Sequence, residues 1–413
     1  MSAVWHPFFQ NALEPAPLKI ARTEGAWLET SDGVRLLDAI SSWWVVTHGH
    51  RHPAIMAAIR AATETLDQVI FAGFTHEPAE ALAAELAALA GLPHVFFSDS
   101  GSTAVEVALK LALGTARNRG ERRERLVVMA HSYHGDTVGA MSVGARGVFN
   151  APYAPLLFDV ATIPFPAAGQ EQACYDALAA ATRDRQAAAF IVEQLVLGAG
   201  GMLMYPPAVL AELHRICAAS GTLFIADEVM TGWGRTGTLF ACQQAGLVPD
   251  LLCLSKGLTN GSLPLAATLA SNAIFEAHHS RDRTRTFWHS SSYSGNPIAC
   301  AAALANARVW RDEPVAARVA ALGAMQARQL ARLAGDARFA DLRRTGTIAA
   351  MTIPGPEQGY LAEIGCDLRA AALAQGVVLR PMGDCLYVLP PYCITESELA
   401  RVYDVILEIV PGR

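Results

Sequence analysis

Two short apolar runs in this chain end in residues that can do chemistry. Leu223-Phe224-Ile225-Ala226 stops at Asp227-Glu228, and Leu251-Leu252-Cys253-Leu254 stops at Ser255-Lys256-Gly257. Short apolar runs bounded by turn residues read as buried strands of a parallel sheet. In open α/β sheets, ligands sit beyond the carboxyl ends of the strands. An acid and an amine just past two such ends therefore mark where chemistry is expected. The amine is the more informative of the two. Among 32 Lys and Arg residues, only Lys19, Lys110 and Lys256 are lysine. A guanidinium neither loses its proton nor forms an imine, whereas a partly desolvated ammonium does both. The plain alternative is a chance lysine at a strand end.

The surrounding pattern supports a sheet. From Val95 to Asp250, apolar runs alternate with helical stretches: 95–97 before helix 104–113, then 126–129, then 188–192, then helix 208–219 before the Asp227 run. This alternation predicts an α/β fold with a mostly parallel sheet. Upstream, 26–30 and 34–38 flank Ser31-Asp32-Gly33 and read as a hairpin. Pro53 opens a helix over 54–66, and a second over 78–90 is stopped by Gly91. After Pro297 the texture changes to a long Ala/Arg-rich helical region, 298–333. Strands are expected at 347–353, 377–380 and 386–389, then a final helix with a Thr395-to-Glu398 capping box. The expected division is a large domain over 46–297 and a smaller, discontinuous α+β domain from 1–45 and 298–413.

Composition removes several functions. No apolar run approaches the roughly 20 residues of a membrane span. The first ten residues lack the basic-then-apolar pattern of a signal peptide. A net charge of −6 gives no basic field for nucleic acid. The eight cysteines form no Cys-x-x-Cys pair, and buried reduced thiols in a cytoplasmic protein are expected. His48, His50 and His52 have strand-face spacing, but Gly49 and Pro53 interrupt them and no carboxylate cluster accompanies them. No metal site is expected.

Other residues gain meaning from company. Gly101-Ser102-Thr103 before a helix offers backbone N–H groups, hydroxyls and a helix N-terminus for a phosphate, or simply a Ser cap. Tyr133, after another strand, can lie against a flat ring or sit in the core. Asp227 can be a loop acid, and Arg380, before Pro381, can clamp a carboxylate or make a surface ion pair. Phosphate cradle, aromatic ring partner, strand-end acid and strand-end lysine together match what pyridoxal phosphate requires.

The residues from Asp227-Glu228-Val229 through Gly232-Trp233-Gly234-Arg235-Thr236-Gly237 and Pro249-Asp250 to Leu254-Ser255-Lys256-Gly257-Leu258 resemble the signature of class III aminotransferases. These are pyridoxal 5'-phosphate enzymes of fold type I. Within that family, the biotin-synthesis branch is resembled by Trp5-His6-Pro7, Ser41-Ser42-Trp43-Trp44, the stretch from Asp99 to Glu106, Tyr133-His134-Gly135-Asp136 and Leu379-Arg380-Pro381. The resemblance spans nearly the whole chain.

It implies that Lys256 binds the cofactor and shuttles the proton, that Asp227 pairs with the pyridine nitrogen, and that Gly101 and Ser102 hold the phosphate. Tyr133 and Trp43 would border the substrate, and Arg380 would take its carboxylate. Ser290-Ser291-Ser292 would lie in a loop reaching the neighbouring subunit's phosphate, with Ser291 and Ser292 on the cofactor and Ser290 on the substrate, making a homodimer with shared sites. The implied acceptor is 8-amino-7-oxononanoate, and the implied donor S-adenosylmethionine. Three departures stand out. Phe8 replaces a tyrosine implicated in substrate recognition, Ser290-Ser291-Ser292 replaces Gly-Pro-Thr, and Gln194 replaces a proline. The first leaves lysine open as donor. Another ω-aminotransferase acting on a diamine or γ-amino acid is the alternative enzyme, and a nucleotide-binding α/β protein the alternative without catalysis.

Overall fold

In the computed structural model, which describes residues 3–412, the central sheet has seven strands. Their order is His94–Ser98, Ala266–Ala270, Leu251–Leu254, Leu223–Asp227, Ala187–Glu193, Arg125–Met129 and Ala161–Ile163. Pairing is parallel from Leu251–Leu254 through to Ala161–Ile163. Ala266–Ala270 alone runs against its neighbours. The fold is α/β with a mostly parallel sheet, as the alternating pattern predicted.

Burial on both faces explains the apolar runs. On one face Ile225, Ile191, Val128 and Leu251 pack with Val105, Ala108 and Ala112 of the helix Gly101–Asn118. On the other, Phe224, Ala226, Phe190 and Val192 pack with Leu210 and Leu213 of Pro207–Ser220 and Leu178 of Glu171–Thr182. Successive side chains alternate between the two faces, and each fully buried large one contributes about 1.5–3 kcal/mol. The parallel register then aligns the strand ends. Asp227 stands opposite Glu193 on one side and Cys253 on the other, so the acid and the chain leading to Lys256 emerge at one edge.

The N-terminal hairpin forms as expected, with Trp27–Thr30 antiparallel to Arg35–Asp38. It belongs to a four-stranded sheet that also takes Ile20–Glu24 and the distant Val377–Val378. A three-stranded sheet joins Ala340–Thr345, Ile348–Thr352 and Cys385–Val388. The final helix, Glu396–Ile409, carries the expected capping box from Thr395 to Glu398.

Some expectations need correction. The long helical region is two helices, Pro297–Asp312 and Val315–Ala331. Pro314 lacks an N–H and forces Glu313 into extended backbone (φ −115°, ψ 158°), which ends the first helix. The helix after Pro53 stops at Ala62. The strand expected to carry Arg380 ends at Val378, because it pairs only along the short Leu37–Asp38 edge. Ala266–Ala270 went unpredicted, since alanines give little strand signal. Among the described residues no helix is long and apolar enough to cross a membrane.

Candidate active site

The edge of the central sheet gathers three side chains. Asp227 is buried at the end of its strand. Its Oδ2 lies 2.6 Å from His134 Nδ1, and its Oδ1 accepts the Val229 N–H at 3.0 Å. Glu193, at the end of the adjacent strand, accepts the Tyr133 N–H at 3.0 Å and the Gly198 N–H at 2.8 Å. Burial pushes its pKa up to about 7. Lys256 opens a short turn with φ 43°, and its Nζ lies 4.8 Å from the centre of the Trp44 ring. Burial lowers the pKa of this lysine, while Asp227 and Glu193 pull the other way. The result is an amine easier to deprotonate than a surface lysine.

Facing them is the start of the helix Gly101–Asn118. Ser100 caps it by accepting the Thr103 N–H at 3.3 Å. The amides of the first turn have no carbonyl four residues back and point outward, ready for an anion. The Ser102 hydroxyl accepts the Asp136 N–H at 3.1 Å, which ties the cradle to the Tyr133 loop. No larger residue fits here. A Cβ on Gly101 would fall 2.6 Å from Val229, and one on Gly135 would fall 2.0 Å from Ser102 Oγ. The resulting cavity of about 170 Å³ is lined by Gly101, Ser102, Tyr133, His134, Asp227 and Lys256.

A second cavity, of about 360 Å³, adjoins it and shares Trp44, Tyr133 and Lys256. Its far wall holds Arg380, whose guanidinium lies 4.5 Å from the Trp43 ring centre and whose Nη2 donates to the Phe8 carbonyl at 3.3 Å. Phe8 meets Trp43 edge-on at 5.4 Å, and Phe149 stands 5.8 Å from Tyr133. Burial, then Asp136, raises the pKa of the Tyr133 phenol, so it stays protonated at neutral pH. The lining of this cavity thus combines an amine, a guanidinium and several aromatic faces.

The structure thus brings together Phe8, Trp43, Tyr133, Lys256 and Arg380 around one cavity, and Gly101, Ser102 and Asp227 around its neighbour. Ser290, Ser291 and Ser292 lie apart from both. The Ser291 hydroxyl donates to Asp99, the Ser290 hydroxyl to the Ser291 carbonyl at 3.2 Å, and the Ser292 carbonyl accepts from Gln68 at 2.7 Å. The histidine spacing does not make one face: His50 turns to Asp38 at 2.9 Å, while His48 and His52 stack edge-on at 5.7 Å.

Several site residues escaped the sequence. His134 behind Asp227 had a signal, its place next to Tyr133. Trp44 was half of a noticed pair, yet it is the one beside Lys256. Glu193 stood at an expected strand end. Arg235 gave no sign of being wholly buried, with its guanidinium donating to the carbonyls of Trp44, Val46 and Pro390 at 2.9–3.2 Å.

Comparison with known proteins shows the family. Residues 8–410 match the family described as aminotransferase class-III. The chain is 47% identical to the adenosylmethionine-8-amino-7-oxononanoate aminotransferase of Synechococcus elongatus, over 98% of each chain. The enzyme of that name from Methanocaldococcus jannaschii superposes with a TM-score of 0.94 at 31% identity, covering 99% of this chain and 96% of that one. An amine transaminase from an uncultivated Pseudomonas species, solved in its PLP-bound form, gives 0.93 at 31% identity, over 99% and 98%. The smaller cavity fits pyridoxal phosphate: an anion cradle kept open by glycines at one side, a buried carboxylate at another, and a lysine reaching in.

Proposed function

Because the chain belongs to the class-III aminotransferases, which depend on pyridoxal phosphate, we propose that it aminates 8-amino-7-oxononanoate to 7,8-diaminononanoate, with S-adenosylmethionine as donor. The observation that carries this is the larger cavity, whose lining combines Lys256 and Arg380 with the aromatic faces of Trp43, Trp44 and Tyr133. It suits an acid whose ketone and carboxylate are joined by an apolar chain. The names of the 47%-identical relative and of the M. jannaschii enzyme support the same substrate.

When bound, pyridoxal phosphate supplies a carbonyl that takes up an amine and a ring that accepts electrons as a proton leaves. The protein's own residues do the rest. Lys256 would hold the group, and its amine, eased toward neutrality by burial, would take the proton from the carbon bearing the amino group and return it. Asp227, backed by His134, would keep the ring nitrogen protonated. Gly101 and Ser102 would hold the phosphate, and Tyr133 would lie alongside the ring. Arg380 would fix the carboxylate of the oxo acid, and Trp43, Trp44 and Phe8 would exclude water. The donor's keto product leaves before the acceptor enters, a ping-pong cycle.

Ser290, Ser291 and Ser292 would serve the phosphate of a second copy. Support comes from exposed Trp288 and Tyr293 beside them, with Ile70 and Phe74 in the segment reached through Gln68. Exposed apolar surface of this kind marks an interface. The division into 46–297 and 1–45 with 298–413 is supported by the sheet that Val377–Val378 shares with the hairpin, and a cytoplasmic setting by eight unpaired cysteines. Phe8 brings no hydroxyl to the cavity, which favours lysine as the second reading for the donor. The test is to supply the oxo acid with S-adenosylmethionine, and separately with lysine, and to assay the diamine. Diamine formed with S-adenosylmethionine is expected; none with any donor refutes the substrate.

A further inference from the structure

The substrate wall begins with backbone that ordinary residues avoid. Ser41, Ser42, Trp43 and Trp44 have φ of 53°, 44°, 67° and 72°. Four consecutive non-glycine residues in the left-handed region cost roughly 1–2 kcal/mol each. The stretch closes as a left-handed turn, with the Trp44 N–H on the Ile40 carbonyl and the Val45 N–H on the Ser41 carbonyl, both at 2.9 Å. Strain of this size persists only where the surroundings hold it.

The Ser41 hydroxyl donates to the Leu389 carbonyl at 2.7 Å and Arg235 donates to the Trp44 carbonyl at 3.1 Å, but the anchor with most bonds to the turn is Asp38, wholly buried at the end of the strand Arg35–Asp38. Its Oδ1 accepts the N–H groups of Ile40 at 3.2 Å and Ser42 at 3.0 Å. Its Oδ2 accepts the Ser42 hydroxyl at 2.8 Å and faces His50 Nε2 at 2.9 Å. The hand of the turn decides where both indoles go: Trp44 beside the Lys256 amine, and Trp43 under the Arg380 guanidinium. Neither Asp38 nor His50 lines the cavity.

We propose that the Asp38–His50 pair is the positioning device of the substrate cavity: it keeps Ser41–Trp44 left-handed and so sets the two indoles that select the acceptor. Only the identity of the acceptor rests on the function proposed above. Asp38→Ala removes every bond the carboxylate makes to the turn, whereas Asp38→Asn keeps Oδ1 for the Ile40 and Ser42 amides.

The test uses the holoenzyme, with KM and kcat for the oxo acid and hydrogen exchange at the amides of Trp44 and Val45. In Asp38→Ala, KM should rise about tenfold or more with a smaller fall in kcat, and exchange should quicken. Asp38→Asn should recover most of both. Cofactor absorbance should stay that of the parent. Parental KM and exchange in Asp38→Ala overturn the proposal. Should that variant fail to fold, His50→Ala carries the comparison: faster exchange with KM raised about threefold supports the pair, and parental values overturn it. If the parent itself makes no diamine, the substrate reading fails, while the exchange data still decide whether the pair holds the turn.

Discussion

The two sides of the proposed active site are built by different means. The cofactor side stands on strand ends. Asp227, Glu193 and the approach to Lys256 are placed by the parallel register of buried strands, and their polar atoms bond to neighbouring backbone. The substrate side is assembled from segments far apart in the chain: Pro7-Phe8, the Ser41–Trp44 turn, Phe149, and Arg380 beyond a two-residue strand. The first kind of wall is fixed by the packing of the sheet between its two helical layers and tolerates little change. The second depends on a few polar anchors, and specificity can be altered there without disturbing the chemistry.

Four substitutions probe that contrast, from the largest expected effect down. Asp227→Asn should lower kcat/KM by roughly 10³-fold for donor and acceptor alike, because the ring loses its charged partner in a water-poor site. Steady-state kinetics for each substrate check it, and a loss confined to one substrate would break the assignment to the cofactor side. Arg380→Ala should raise KM for the oxo acid about 10²-fold, in keeping with truncating one partner of a charge pair. An unchanged KM would remove the carboxylate clamp.

The third concerns Glu228, which accepts the Ala241 and Cys242 N–H groups at 2.6 and 2.8 Å beneath the cofactor side. Burial raises its pKa from 4.5 to about 7. The folded protein then holds a proton that the unfolded chain releases, so its contribution is most favourable below pH 4.5 and is lost as pH rises through 7. Over that window it amounts to about 3 kcal/mol. Glu228→Gln should remove this share of the fall, read as denaturant midpoints at about pH 5 and pH 7.5. Parallel pH curves for the two proteins would contradict it. Phe8→Tyr should move the acceptor's KM by less than about threefold, while shifting the ratio of rates with S-adenosylmethionine and lysine. A fixed ratio would show that this position does not choose the donor.

The same contrast explains what the amino-acid sequence makes legible. Strand-end residues follow from apolar runs of four or five residues, so Asp227 and Lys256 stand out in the sequence itself. Their partners do not. His134 meets Asp227 across 93 positions, and no local pattern encodes that. Arg380 could be noticed, but not its place over Trp43. The left-handed hand of Ser41–Trp44 is invisible in residues that all prefer negative φ; it arises from Asp38 and from Arg235, whose carbonyl partners come from two remote segments. Pro314, by contrast, was in plain view and decides the break between two helices.

The central claim is that the strand-end lysine anchors the cofactor, and borohydride reduction of the holoprotein followed by peptide mapping tests it most directly. A single pyridoxyl group per chain is expected, on Lys256, with Lys19 and Lys110 unmodified. A label on either of those lysines, or a colourless protein that takes up no pyridoxal phosphate, would contradict it.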